Sequence, residues 1–447
     1  MRVKRNVLAA AASVGLFACG DHSLDATSTA GSESTGATVG ATDSSSSGVT
    51  VSMEGGTPDL PPPDAGFCPP GCDVELDTRW TFRGEFPDPQ RRETVIHQLH
   101  AMTSVFDDTL MVAEGRGPDV WISRISRAGN LLWSERLPVS FPAQIRDLSA
   151  GPRGTIWYSG TAQLGFTGGI PVILYGQFSF TDIFDSENHW TQLQGIPEVL
   201  PRVGSIVPFN EQRAGLAIID RLGFDGRSGT ERIDVLDLNR SGAIDNIRFI
   251  TSQSETNPHG DPVAAPVGEN SAMAYPSFTG LQDQGYAVWI ENAFLAVRDA
   301  VALPGAPDDI AATPTGRAVV VSHQWNGAQL EVFVDETALE LPLQWEFRAV
   351  IDSTVEGRSE IVVDEDGTVI VAVPATRRVN GELRSRVEFI ALTPDGQVYW
   401  NETLPLPFLP GERPISLELS ADGLLQLGAT VNDRVRVDQV EPLCVCE

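Results

Sequence analysis

The sequence predicts an all-β protein whose folded part is a ring of four-stranded units, and three observations predict it. From Cys68 onward, short alternating apolar runs rich in Val, Ile, Thr, Trp and Phe are separated by Gly, Pro, Asp and Asn, with no sustained helical period. A strand–glycine turn–strand unit recurs along this region, with a second hairpin upstream of its clearer copies. The last recurrence runs out before an outer strand, and a strand of the missing kind stands near the front of the folded region.

In chain order, the first element is a basic start (Arg2, Lys4, Arg5) followed by an apolar run from Val7 to Phe17. That run is too short to cross a bilayer, which takes about 20 apolar residues. Basic, then apolar, then small residues is the secretory signal pattern, so residues 1–18 are expected to be removed. The segment Leu16-Phe17-Ala18-Cys19 resembles the lipobox of bacterial lipoproteins. The resemblance implies that Cys19 is thioether-linked to diacylglycerol and becomes the mature first residue. Gly20 after it implies delivery to the outer membrane. No later stretch approaches transmembrane length, so the lipid is expected to be the sole membrane anchor. A plain signal peptide with a chance cysteine is the bland alternative.

The net charge of −29 includes those three basic residues, so the mature chain carries about −32. Such a surface repels phosphate backbones, and nucleic acid is not an expected partner. Lys4 is the one lysine of the sequence and leaves with the signal. Schiff-base, phosphate-loop and kinase-type lysine chemistry are therefore excluded.

Residues 19–66 form the next element. Between Gly20 and Gly66 the chain is Ser, Thr, Gly, Ala and Pro with scattered acids, and it has no arginine, lysine, Phe, Tyr or Trp. It cannot bury enough apolar surface to offset the entropy of ordering, so a disordered tether is expected, with ends roughly 35–40 Å apart.

The folded region is expected over residues 67–447. One unit runs from Val120 through a turn at Gly129-Asn130 to Trp133 and Pro138; another runs from Arg386 through Asp395-Gly396 to Trp400 and Pro405. In both, tryptophan follows the turn glycine by four residues. A third copy, Ile233 to Phe249, keeps the turn at Ser241-Gly242 but has Asn246 in the tryptophan slot; Trp190 and Trp345 belong to looser copies. Upstream hairpins turn at Gly154, Gly316, Gly367 and Gly423. Two hairpins per repeat, at a period of roughly 45–60 residues, describe a single β-propeller of seven four-stranded blades. Blades are expected to start near Val95, Ile145, Val203, Val263, Asp308, Arg358 and Ile415. Leu76 to Phe86, with Trp80, supplies the outer strand that the blade begun at Ile415 lacks, closing the ring at the N-terminal end.

The segment from Ala391 through Gly396 to Trp400 resembles the tryptophan motif of quinoprotein-type propellers and related assembly lipoproteins, over two blades. The resemblance implies blade architecture, with tryptophans packing between blades. No residue matches onto a cofactor role, and no cofactor is expected.

Candidate chemistry is sparse. His97 and His100 are three apart on a predicted strand and point to opposite faces, so they are not expected to share a metal. His259, in Asn257-Pro258-His259-Gly260-Asp261-Pro262, reads as an exposed loop histidine. Asp237, Asn239, Ser241 and Asp245 with Gly242 match the spacing of a calcium loop and resemble integrin-type propeller loops, yet position twelve is Arg248. The hairpin-turn reading is preferred there, and no metal is assigned. No zincin pattern or serine nucleophile elbow occurs, and no carboxylate pair stands out among the 60 acids. No catalytic residue is assigned.

Cys68, Cys72, Cys444 and Cys446 fall at opposite ends of the folded region. Export favours disulfides over a zinc site, and ring closure favours bonds across the ends, Cys68–Cys446 with Cys72–Cys444 ahead of other pairings. The functional expectation is a binding or scaffolding module on a lipid tether in the cell envelope, with a protein or glycan ligand that the sequence does not identify. The alternative is an extracytoplasmic enzyme, carbohydrate-active or quinone-dependent, with its site at the channel mouth. Acids, arginines and a histidine converging on that mouth would favour the enzyme; a featureless mouth with an aromatic side patch would favour the binder.

Overall fold

The computed structural model describes residues 72–84 and 97–446, apart from 152–153, 165–169, 182–189, 196–201, 211–212, 221–230, 254–260, 277–284, 292–295, 326, 328, 339–340, 412 and 421. The signal, the tether, Cys19, Cys68 and His259 lie outside the described residues.

The described residues form seven four-stranded antiparallel sheets, the blades of one β-propeller. The first strand of each blade lies innermost: His97–Ser104, Ala143–Ala150, Arg202–Asn210, Val263–Val267, Ala306–Ala312, Glu360–Val363 and Ile415–Leu419, for blades 1 to 7. These starts lie within a few residues of the expected ones. Blade 4, whose outer hairpin has no legible glycine turn, is nonetheless complete through Ala296–Leu303.

The repeated turn has one chemistry. Thr393 O accepts from Gly396 N at 2.9 Å, Thr393 N donates to Gln397 O at 2.8 Å, and Thr393 Oγ1 accepts from Gln397 N at 3.0 Å. Ser126, Asn239, Thr313, Asp364 and Ser420 head the same arrangement. Its fourth residue must adopt positive φ (+79° at Gly129, +82° at Gly396), which makes glycine the punctuation of the repeat.

Each joint between neighbouring blades holds one apolar cluster, so the core is a circle of seven seams. Blades 1 and 2 meet around Ile122, Ile156, Tyr158 and Phe178, and blades 6 and 7 around Phe389, Trp400, Leu425 and Leu427. Tryptophans do pack across joints. Trp80, on the outer strand of blade 7, covers Gly129 of blade 1 and donates from Nε1 to Arg127 O at 2.9 Å. Trp345 of blade 5 covers Gly396 of blade 6 and donates to Pro394 O at 3.1 Å. At the joint of blades 2 and 3, the Tyr175 hydroxyl donates to Gly242 O at 3.1 Å.

The ring closes as expected. Strand Cys72–Arg83 pairs antiparallel with Arg434–Cys446 as the outermost strand of blade 7. The register sets Cys72 opposite Cys446 and Val74 opposite Cys444. The seam between blades 7 and 1 then buries Phe82, Val435 and Val437 against Leu99, Met102 and Leu110.

Candidate functional site

Alternation along an inner strand points every second side chain into the central channel. Four inner strands interrupt that alternation. The ladder skips His100 in blade 1, Arg146 in blade 2, Gly204 and Ser205 in blade 3, and Asp308 in blade 5. A bulge re-aims the residues around it, and all four lie near the same level of the ring.

Along these inner strands polar side chains tie four pairs of neighbouring blades together. His100 Nδ1 accepts from Ile145 N at 3.2 Å, joining blades 1 and 2. Asp147 accepts from Ile206 N at 2.8 Å, joining blades 2 and 3. Asp309 accepts from Ile361 N at 3.0 Å, joining blades 5 and 6. Glu418 accepts from Ser104 N at 3.2 Å, joining blades 7 and 1. Each of these groups also lines a cavity of about 390 Å³ along the channel axis.

Two arginines span further. Arg413, just before the inner strand of blade 7, reaches past blade 1 and donates to Arg146 O of blade 2 at 2.7 Å. Arg358, just before the inner strand of blade 6, passes blade 5 and meets Asp261, just before that of blade 4, at 3.3 Å. Arg358 and Asp261 are both buried. Beside them, His323 Nδ1 lies 2.7 Å from Asp308 Oδ1 and its Nε2 3.0 Å from Glu356 Oε1, while the Asp308 carboxylate also accepts from Ser359 N at 2.9 Å. Glu360 completes the set. It lines the cavity and makes no hydrogen bond or ion pair among the described residues.

Burial and mutual repulsion set the protonation states. Loss of hydration pushes Asp147 up to about 7 despite the Ile206 N–H, and Glu418 up to about 8 despite the Ser104 N–H. Desolvation, with Asp309 and Glu418 nearby, lifts Glu360 well above the carboxylate range, and burial raises Asp309 as well. Asp261 goes the other way: desolvation opposes its charge, but Arg358, with Arg146, Arg413 and Arg202 behind it, holds it below the ordinary range. Burial and Arg146 take His100 down to about 4, so its imidazole is neutral and can accept the Ile145 N–H. His323 also loses hydration, yet Asp308 and Glu356 outweigh that and raise it to about 10.

The mouth is thus not featureless. Acids, arginines and a histidine from several blades converge on it. A second cavity, about 280 Å³, lies between blades 5 and 6 against Trp345, Pro314 and Pro394, with Glu365 and Asp366 at its edge.

The residues singled out from the sequence fare differently. His97 Nδ1 lies 3.9 Å from Glu114 and His100 turns to Ile145, so the two histidines are not brought together. The Asp237–Asp245 segment is the hairpin turn. Asp237 is engaged by Arg213, and the Asn239 side-chain oxygen accepts from Ser241 N and Ala243 N at 3.0 and 3.1 Å. The channel acids Asp147, Asp309, Glu360 and Glu418 and the bridging Arg358 and Arg413 were not distinguishable in the sequence. Aligning the repeats on their first strands would have found part of the set, because Asp147-Leu148, Asp309-Ile310 and Glu418-Leu419 are acid–apolar pairs at nearly the same place in three blades.

No protein-family model matches the chain, and no curated protein matches it. Solved structures with similar folds include the Kuenenia stuttgartiensis hydrazine synthase, at 15% identity and TM-score 0.49, covering 80% of this chain and 99% of that one. They also include the PQQ-bound aldose sugar dehydrogenase of Streptomyces coelicolor, at 13% identity and TM-score 0.40, covering 83% and 99%. The WD40 domain of SCAP from fission yeast is similar at 8% identity and TM-score 0.39, covering 82% and 98%.

Proposed function

We propose that this chain is a lipid-tethered cell-envelope propeller that binds a small polar molecule in its central channel. The tether rests on residues 1–66 as read from the sequence. The binding reading is carried by one observation: charged side chains from several blades surround a cavity of about 390 Å³, and one of them, Glu360, has no hydrogen-bond partner there. That volume is in the range of small-molecule sites. A core built for stability alone would not gather carboxylates whose ionisation burial opposes.

A second reading, an enzyme acting in the same channel, is favoured by the convergence of Asp147, Asp309, Glu360 and Glu418 with Arg146, Arg413 and His100 on the cavity, the arrangement expected of an enzyme site.

The test is a thermal-shift screen of the purified protein against neutral sugars, uronates, amino sugars, polyamines and dicarboxylates. Ser416→Phe serves as the channel-filled control. Ser416 lies two residues before Glu418 on one strand face and lines the cavity. At least one compound is expected to raise the melting midpoint of the wild type and not of the variant. Equal shifts in both proteins, or none in either, would refute the channel reading.

A further inference from the structure

We infer that the channel ligand carries a protonated primary amine, as a polyamine or an amino sugar does; this rests on the channel being the binding site. The lining is unbalanced. Asp147, Asp309, Glu360 and Glu418 face the cavity against Arg146 and Arg413, and His100 is neutral. Glu360 makes no hydrogen bond or ion pair among the described residues; burial and the nearby Asp309, Glu418 and Asp308 oppose its ionisation, and Arg413 favours it. Carboxyls kept protonated by burial and mutual repulsion ionise when a cation enters among them, whereas an anionic ligand would meet further repulsion and a neutral polyol would leave them as they are.

The kind of cation follows from the spacing and from the other lining residues. Among the described residues no three His, Cys, Asp or Glu groups are close enough together to hold a metal ion. The charge is spread around the ring, and a ligand larger than a bare ion is needed to meet it. Among the described residues of the lining there is no Phe, Tyr or Trp, so they offer no cage for a quaternary ammonium, which is held by aromatic faces. Carboxylates instead favour N–H donors, and a primary ammonium offers three. Glu360 supplies the acceptor with no competing bond among the described residues, while Asp147, Asp309 and Glu418 each accept one bond from a neighbouring blade and a carboxylate has further acceptor sites to offer.

Isothermal titration of the purified protein with putrescine, glucosamine, glucose and galacturonate tests the assignment. Putrescine, glucosamine or both should bind, with glucose and galacturonate at least about tenfold weaker. Glu360→Gln and Glu418→Gln should each weaken the amine by about ten- to hundredfold, with the circular dichroism spectrum unchanged. Glu360 has no bond to lose and glutamine at 418 can still accept from Ser104, so both variants should fold. Binding of putrescine alone points to a polyamine, and of glucosamine alone to an amino sugar; either upholds the inference. It is overturned if glucose or galacturonate binds as tightly as the amines, if both glutamine variants bind the amine like the wild type, or if none of the four binds at millimolar concentration. Glucose or galacturonate binding that Ser416→Phe abolishes would refute the amine while leaving the channel site standing.

Discussion

Trp345 lies against Gly396 of the next blade so closely that a Cβ added at position 396 would fall 2.6 Å from its indole ring. The glycine is needed twice over, for this approach and for a φ of +82°. Gly396→Ala is expected to cost about 2–3 kcal/mol of unfolding free energy. Gly129→Ala, beneath Trp80 at 2.7 Å, should behave alike, whereas Gly316→Ala, with nothing within 4 Å, should cost about 1 kcal/mol from φ alone. Urea denaturation of the three variants checks the ranking, and equal losses would remove the docking contribution.

Stability should fall as pH rises through neutrality. Glu418 and Asp147 have folded values raised by burial to about 8 and about 7, so the stability each contributes is complete below the unfolded carboxylate range and is lost as pH rises through those values. Asp309 and Glu360 act in the same sense, facing Asp308 and partly offset by Arg413. His323, raised to about 10, also loses its contribution on the alkaline side. Asp261, held low, matters only in acid. From about pH 5 to about pH 9 the loss should be on the order of 3 kcal/mol, and Glu418→Gln should remove a good part of it. Urea midpoints at the two ends of the range measure this, and a flat wild-type profile would contradict it.

The chain ends should be covalently joined. The register sets Cys72 opposite Cys446 and Val74 opposite Cys444, so the two cysteine-bearing segments run side by side, as bonds across the ends require. Bonds across the ends would close a loop of roughly 370 residues, with a chain-entropy contribution of up to about 5 kcal/mol. Non-reducing peptide mapping should recover fragments joining the two termini. Peptides with only Cys68–Cys72 or Cys444–Cys446 would refute the clasp.

Membrane attachment should depend on one sulfur atom. Cys19→Ser is expected to release the protein into the soluble fraction and abolish incorporation of labelled palmitate. Membrane association that persists in the variant would refute the lipid anchor.

The ring was legible in the sequence because its signals are local. Gly129, Gly242, Gly367 and Gly396 each mark a turn that only positive φ permits, and Trp80, Trp133 and Trp400 mark outer strands. The channel was not, because its charged residues are joined only by the closure of the ring. Arg358 and Asp261 are 97 positions apart, and Ser104 and Glu418 are 314 apart. Bulges at His100, Arg146 and Asp308 then break the alternation by which inward-facing residues might have been counted.

Strand Cys72–Arg83 has its partner at the far end of the chain, in Arg434–Cys446. During synthesis it therefore emerges among the first parts of the fold and must wait, with a bare hydrogen-bonding edge, until more than 350 residues have followed it. Six blades can form in order as they appear; the seventh cannot begin its outer pairing until the end. A nascent chain stalled or cut short before Arg434 is then an open arc with two adhesive edges, and such arcs invite joining to one another.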